Sequence, residues 1–263
     1  MLLAVDNGNS SINFGVFDVN TLLVRFSIPT RRDATAADLQ RAISGNLDLP
    51  ITGVIVCSVV PEVERALRDF LQQRYKVAPL FVNNTFDLGL KIKYEPETSL
   101  GTDRLVAAYA AVKKFGKPAV VCDFGTATTI DGVSAKSEFL GGVIAPGMNA
   151  MAEALHIKAA KLPRVKIVKP ETVIGTTTLG SILSGVFYGY VGLVEGLVKR
   201  ISGELGKNAK VIATGGLASL IAENTEVLET VDENLVLEGL LYIHTTRTQA
   251  AARTPKSKTQ TTE

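Results

Sequence analysis

The sequence predicts an α/β protein of two halves that share one plan, a three-stranded meander followed by further strands and helices. The first observation is an apolar strand at residues 2–5, which ends in Asp6 and a turn before a returning strand begins. The second is the recurrence of this pattern at 118–131, where the strand ends in Asp123 and small hydroxyl-bearing residues follow Gly125. Chance duplication of an ordinary hairpin is the alternative, but an ordered internal repeat is more specific than one copy.

The bulk composition is that of an ordinary globular protein. A chain of 263 residues, 46% apolar and 21% charged, suggests one large domain or two moderate ones. The net charge of +2 gives no indication of a nucleic-acid or membrane partner. Cys57 and Cys122 lie in apolar runs, which favours buried thiols over a disulfide. With only His156 and His244 present, neither a catalytic triad nor a Cys/His zinc site is supported. Because a core strand opens the chain, we expect no signal peptide and a cytoplasmic location.

The first half continues with short strands and helices of ordinary length. The predicted elements are strands at 12–17 and 21–28, a helix at 38–43, a strand at 53–58, a helix from Pro61 to Phe70 or beyond, and a strand at 78–82. Residues 84–96 are polar and rich in turn formers, so we expect an irregular connection there.

The turn that follows Asp6 has two interpretations. Asn-Gly between apolar runs is an ordinary hairpin signal. A carboxylate at a strand end, beside a turn with exposed N–H groups and hydroxyls, also suits a metal-bound polyphosphate. The second copy at Asp123 favours the phosphate interpretation.

The segment at 99–104 opens a helix that continues through Val112. Thr102 is the predicted N-cap, and Asp103 lies in the first turn, where the helix dipole favours a negative charge. On these residues alone, helix capping is the favoured interpretation of Asp103.

The second half completes its meander and then alternates helices with buried strands. The predicted elements are a strand at 139–145, helices at 148–156 and 177–205, a strand at 209–214, and helices at 217–222 and 237–244. Residues 176–194 lack a charge and meet the length rule for a membrane span. Their many Gly, Ser and Thr residues, and the helical pattern that continues past Glu195, favour a buried core or interface helix instead. Gly215-Gly216 after a strand suits either a nucleotide or a tight turn.

The ordered motifs closely resemble type III pantothenate kinase, a family of the actin, sugar-kinase and Hsp70 superfamily. The matching stretches are Asp6-Asn7-Gly8-Asn9-Ser10, Cys57-Ser58-Val59-Val60-Pro61, Leu100-Gly101-Thr102-Asp103-Arg104, Asp123-Phe124-Gly125-Thr126-Ala127-Thr128, 141–147, Leu162-Pro163 and 212–217. The resemblance implies two ribonuclease-H-like halves around a nucleotide cleft. We therefore expect one half at 1–116, with the phosphate hairpin and substrate loop, a second at 117–245, and a disordered tail at 246–263.

The resemblance also implies an activity and its residues. The activity is ATP-dependent phosphorylation of pantothenate, the first step of coenzyme A synthesis, by a homodimer. The implied ATP-binding residues are Asp6, Asn7, Gly8, Asn9, Ser10, Ser11, Ile12, Asn13 and Thr126. The implied pantothenate-binding residues are Tyr94, Gly101, Thr102, Asp103, Arg104 and Thr178. Asp103 would be the catalytic base, Asp123 would bind a monovalent cation (potassium or ammonium), and Asp6 would hold Mg²⁺ directly or through water.

Two departures from the family pattern and two competing functions accompany this prediction. The family usually has Asn-Thr where this chain has Thr177-Thr178, and Ala159 replaces a common threonine. Another kinase or phosphatase of the superfamily would share the hairpins but lack the substrate loop. A non-enzymatic regulator of the Bvg accessory factor kind would be expected to lose one of Asp6, Asp103 and Asp123, and all three are present.

Overall fold

The protein forms two compact units. The computed structural model describes residues 1–43, 45, 49–159, 162–206 and 208–253. One unit is Met1–Val82 together with the C-terminal segment from Leu237, and the other is Asn83–Val236. This division differs from the expected boundary at 116/117, because the helix that begins at Thr102 packs on strands of the second unit.

The first unit is a five-stranded sheet with two helices from the same stretch of chain. Its elements are β1 (Leu2–Asn7), β2 (Ser11–Asp18), β3 (Thr21–Pro29), α1 (Ala36–Ile43), β4 (Gly53–Ser58), α2 (Pro61–Tyr75) and β5 (Leu80–Phe81). The strand order is β3-β2-β1-β4-β5, with β1 antiparallel to β2 and parallel to β4. The strand expected at 78–82 is reduced to two residues. The inward faces of β1, β2 and β4 pack with α1 and α2 into one apolar core.

The second unit repeats this plan. Its elements are β6 (Lys91–Ile92), a 3-10 turn (Glu97–Ser99), α3 (Thr102–Phe115), β7 (Ala119–Phe124), β8 (Ala127–Val133), β9 (Glu138–Pro146), α4 (Met148–Lys158), α5 (Thr178–Leu205), β10 (Lys210–Thr214), α6 (Ala218–Ala222) and β11 (Thr230–Val231). The order is β11-β10-β7-β8-β9-β6, with β7 antiparallel to β8 and parallel to β10. The meander and the parallel strands beside it thus recur in the same order, which confirms the predicted duplicated α/β class. The sequence prediction missed β6 and β11, since two residues are too few to show a period.

The long helix α5 supplies much of the second unit's core. By length and composition it qualifies as a possible membrane span, alone among the helices of the described chain. Its buried face, which includes Phe187, Tyr190 and Val194, packs into the cluster formed with α4 and the strands β7 and β8. This face is covered by the unit's own sheet, which agrees with the prediction of a buried core or interface helix.

The last helix, α7, runs over Leu235–Arg253 and is longer than expected. Residues 246–253, which the sequence prediction placed in a disordered tail, are helical. The run of Gln and Ala residues there consists of good helix formers, which accounts for the continuation. The rest of the expected tail, 254–263, lies outside the described residues, as do Ala160 and Lys161 beside the Ala159 departure.

Candidate active site

The carboxylate of Asp6 is oriented by a cross-strand partner. Asp6 is half-buried near the end of β1, and its register partner on β2 is Asn13. The Asn13 Nδ2 group donates a hydrogen bond of 3.0 Å to Asp6 Oδ2. Asp6 and Asn13, both predicted ATP-binding residues, are therefore brought together in the first unit.

The turn between β1 and β2 is fixed from the side of β3. Gly8 N–H donates to Ser11 O at 3.0 Å, which closes the turn on itself. Thr30 adds two bonds, from its N–H to Ser10 O at 3.0 Å and from its Oγ1 to Gly8 O at 2.7 Å. The sequence prediction missed Thr30, because a threonine after a strand carries no signal of a contact across the meander. Asn9 and Ser10 remain exposed at the tip.

The side chains of Asn7 and Ile12 are turned inward. Both are 0% exposed, and Ile12 packs in the core of the first unit. Asn7 Nδ2 donates to Ser58 Oγ at 3.0 Å and to Val60 O at 3.4 Å. Contacts of these two residues with ATP would therefore use backbone groups, while Asn7 ties β1 to the segment after β4.

In the second unit, Asp123 occupies the matching position near the end of β7. It is half-buried, and Gly215 lies directly against it. Gly215 has a φ of +91°, and a Cβ there would come within 2.5 Å of Asp123 Oδ1. The first glycine of the Gly215-Gly216 turn therefore allows the backbone to lie close to the Asp123 carboxylate.

The surroundings of Asp123 offer oxygen donors. The backbone carbonyls of Gly125 and Thr126 lie close to Gly147, whose Cβ would be 2.6 Å from each oxygen. Thr126 itself is exposed. Carboxylate and carbonyl oxygens suit hard cations. Within the described part of the chain, no group of three or more His, Cys, Asp or Glu side chains forms a metal cluster. The groups described around Asp123 are therefore carboxylate and carbonyl oxygens.

The residue after each aspartate is supported differently in the two units. Asn7 is held by polar contacts, as described. Phe124 is 1% exposed and packs edge-on against Tyr190, with ring centroids 6.2 Å apart. The two aspartates thus occupy matching strand positions, but the residue after each one is held by different contacts.

The predicted substrate motif forms the start of α3. The N-cap is Gly101, in an extended conformation, so the expectation that Thr102 is the N-cap is wrong. Asp103 is the second helical residue, and its Oδ1 accepts the N–H of Arg104 at 2.8 Å. A Cβ on Gly101 would lie 2.5 Å from that oxygen, so the carboxylate packs directly over the glycine.

The environment of Asp103 differs from that of an ordinary aspartate in the first turn of a helix. Burial raises the pKa of the Asp103 carboxyl above its ordinary value, and the hydrogen bond from Arg104 N–H opposes part of that rise. Asp38, in the first turn of α1, has the opposite behaviour. Hydrogen bonds from Thr35 hold the pKa of Asp38 well below its usual range. Asp38 is therefore a typical capping carboxylate, and Asp103 is not.

Arg104 is already paired with a residue that the sequence prediction missed. Its Nε donates to Asp131 Oδ2 at 3.1 Å and its Nη2 donates to Asp131 Oδ1 at 2.5 Å. The rings of Tyr94 and Phe139 both contact the guanidinium, with centroids 5.2 and 5.8 Å from Cζ. One edge of the fork predicted for substrate is therefore occupied by Asp131. The available signal was a charged residue within the otherwise buried strand β8.

Other residues position the motif or lie apart from it. Asn84 Nδ2 donates to Glu97 O at 2.9 Å and to Leu100 O at 2.7 Å, which fixes the turn that leads into Gly101. Thr178 is exposed at the start of α5. The departure at Thr177 has a local explanation, because its Oγ1 caps α5 by accepting Gly180 N–H at 3.0 Å.

Comparison with known proteins decides the family. A family model described as type III pantothenate kinase matches residues 2–200. The chain belongs to the type III pantothenate kinase family. A type III pantothenate kinase from Paramagnetospirillum magneticum is 47% identical over 251 residues, covering 93% of this chain and 96% of the relative. Another from Halalkalibacterium halodurans is 40% identical over 250 residues, covering 93% and 98%.

Solved structures with low identity share the fold. A protein from Campylobacter jejuni assigned to the Baf family of transcriptional activators has a TM-score of 0.61 at 20% identity, covering 94% of this chain and 99% of its own. The ethanolamine utilization protein EutJ from Carboxydothermus hydrogenoformans has a TM-score of 0.51 at 14% identity, covering 92% and 89%.

Membership of the type III pantothenate kinase family establishes the activity. The protein is a kinase that uses ATP and a divalent metal to phosphorylate pantothenate, the first step of coenzyme A biosynthesis. The non-enzymatic regulator is not favoured, since the relatives at 40–47% identity are kinases and the regulator-like structure supports the fold alone.

Proposed function

We propose that this kinase transfers the γ-phosphoryl group of ATP to the terminal hydroxyl of pantothenate with Asp103 as the proton acceptor. The observation that carries the assignment is the half-buried carboxylate of Asp103, packed over Gly101 and hydrogen-bonded to Arg104 N–H. A carboxylate suffices as base because the transition state of phosphoryl transfer is loose, and catalysis consists mainly of positioning and charge stabilisation. Asp103 would orient the hydroxyl and take its proton as the P–O bond forms.

The β1–β2 turn is the proposed phosphate-binding element. The exposed Asn9 and Ser10, with the N–H groups of the turn, supply donors for phosphate oxygens. Asp6, held by Asn13, is the residue that would carry Mg²⁺, directly or through water. When bound, the ion neutralises charge on the β- and γ-phosphates.

Asp123 is the proposed ligand of a monovalent cation, potassium or ammonium. Support comes from the carboxylate near the strand end and from the carbonyl oxygens of Gly125 and Thr126 in the turn that follows it. Thr126, exposed in the adjacent turn, is the proposed ATP contact of this unit. Bound there, a cation would balance the negative charge of the phosphates.

The proposed pantothenate contacts are Gly101, Thr102, Arg104, Tyr94 and Thr178. The N–H groups of Arg104 on the side away from Asp131 suit the carboxylate of pantothenate. We also propose a cytoplasmic homodimer with no nucleic-acid or membrane partner. The dimer rests on the family alone, and light scattering at micromolar concentration tests it.

The experiment that tests these roles is a coupled ADP-release assay, with and without pantothenate, in potassium, ammonium and sodium salts. We expect pantothenate-dependent release in potassium or ammonium and little in sodium. Asp123→Asn should abolish the difference between the cations, while Asp38→Asn should preserve it. Equal activity of the wild type in all three salts would refute the cation assignment, and no pantothenate-dependent release would refute the reaction.

A further inference from the structure

The pair formed by Arg104 and Asp131 is unusual for its burial. The two residues are 8% and 2% exposed, respectively. Asp131 follows the fully buried Ile130 on β8, at a position where an apolar residue would be expected. The neighbouring strand makes room for it, because a Cβ on Gly142 would come within 2.5 Å of Asp131 Oδ1.

Stability alone is a weak reason for such a pair. Removing two charges from water costs about as much as their attraction returns, so well-packed apolar residues often serve equally well. Losing one partner is costly, however, because the other charge is then buried without compensation. A site that tolerates this cost holds the charges for another purpose.

The geometry of the guanidinium indicates that purpose. Asp131 takes the Nε–H and one N–H of Nη2, which are two of the five donors of the fork. The remaining three N–H groups lie on the outer edges of the same plane, and the Tyr94 side chain is a further hydrogen-bond partner of the guanidinium. Tyr94 and Phe139 lie side by side against the guanidinium and are in edge contact with each other, with centroids 6.4 Å apart. The orientation of the outer donors is therefore set by Asp131 and the two rings together.

We propose that Asp131 is a positioning residue for pantothenate, which holds the Arg104 guanidinium so that its outer N–H groups meet the substrate carboxylate. The proposal rests on the proposed role of Arg104 in binding pantothenate. It predicts that Asp131 affects the capture of pantothenate, while ATP binding and the chemical step are largely spared. The hydrogen bond that holds the Asp103 carboxylate comes from the Arg104 backbone N–H, so its geometry does not depend on Asp131, although the guanidinium charge also acts on Asp103.

The test is steady-state kinetics of the full chain carrying Asp131→Asn, a nearly isosteric change that removes the charge. We expect KM for pantothenate to rise roughly 10- to 100-fold, the range for one charge-assisted hydrogen bond. KM for ATP should change less than about twofold, as for an unrelated site. Asp232→Asn is the matched control, since Asp232 is 8% exposed and paired with Lys114 at 2.8 Å in the same unit. The control should leave both KM values unchanged.

A double-mutant cycle separates positioning from a general loss of structure. Arg104→Gln should raise KM for pantothenate, and adding Asp131→Asn to it should add less than about twofold, because the two residues then act as one unit. The double variant is also free of buried unpaired charge, so it keeps the test available if Asp131→Asn alone unfolds. Multiplicative effects, or an unchanged KM in Asp131→Asn, would overturn the proposal. A wild-type enzyme without pantothenate-dependent ADP release would instead refute the proposed function.

Discussion

Replacing Asp103 by Asn should separate catalysis from stability. The change keeps the size of the side chain and its ability to accept the Arg104 N–H, but removes the proton-accepting carboxylate. A positioned acid–base group contributes about 10²- to 10⁴-fold to rate, so we expect kcat to fall by a factor in that range. ATP affinity should be unaffected, because the β1–β2 turn is unchanged.

The stability of the Asp103→Asn variant should not fall. Burial raises the pKa of Asp103 in the folded state, so its stabilising contribution exists at pH values below the unfolded pKa and is lost as the pH rises through the folded pKa. At pH values above the folded pKa, the ionised carboxylate therefore disfavours the folded state. Removing its charge should leave the unfolding temperature unchanged or slightly higher.

Asp38→Asn is the matched control because it changes another first-turn aspartate. Asp38 Oδ2 accepts the N–H of Thr35 at 2.9 Å, while Asp38 N–H donates to Thr35 Oγ1 at 3.2 Å, a reciprocal capping arrangement. We expect this variant to melt at a lower temperature with normal kcat. ADP release measures kcat, and calorimetry measures the unfolding temperature. Near-normal turnover in Asp103→Asn, or a melting temperature well below that of the wild type, would refute the assignment of Asp103 as a catalytic base that burial destabilises.

The pH dependence of kcat follows from the same carboxylate. Only ionised Asp103 accepts a proton, so kcat should decline as pH falls through its pKa, which burial raises above the usual value of about 3.9. Circular dichroism at each pH checks that the protein remains folded. A kcat that stays constant down to the ordinary aspartate pKa would contradict the raised value.

The remaining predictions concern the two aspartate turns. Gly215→Ala should lower the unfolding free energy by about 1–3 kcal/mol and weaken potassium activation, since alanine would be strained at a φ of +91° and its Cβ would displace Asp123. Gly203→Ala on α5, where a Cβ meets no atom within 4 Å, is the control, and equal effects of both on activation would contradict this account. Thr30→Val removes the Oγ1 hydrogen bond to the phosphate turn and should raise KM for ATP roughly 2- to 10-fold. The same change at Thr52, whose Oγ1 bonds Met1 O at 3.3 Å, should not, and an unchanged KM in Thr30→Val would exclude its role.

The duplicated plan was predictable because it repeats as a local pattern. An apolar strand, an aspartate and a turn are visible in sequence at both Asp6 and Asp123, and both strands form as expected. The partner of Arg104 was not predictable in the same way. Asp131 lies 27 positions away and reaches the guanidinium only through the packing of α3 on the sheet. Side chains that meet by tertiary packing leave no spacing in the sequence to detect.

The boundary between the units shows the same limit. Residues 83–116 precede the second meander and were assigned to the first half by their order in the chain. Leu100 and Leu105, however, belong to the core that includes β7, because α3 covers that strand. A helix between two repeats can pack on either sheet, and the fit of its apolar face decides on which one it packs.

The different contacts of the residues that follow the two aspartates have a consequence for exchanging residues between the repeats. In the first repeat the residue after the aspartate is Asn7, which is hydrogen-bonded to Ser58. In the second repeat it is Phe124, which packs on Tyr190, so the two residues are not interchangeable. A phenylalanine placed in the first repeat would remove the hydrogen bond from Asn7 to the Ser58 hydroxyl, and an asparagine in the second would leave a cavity beside the Tyr190 ring. Exchanging these two residues between the repeats should therefore destabilise both units, although the strands around them follow the same plan.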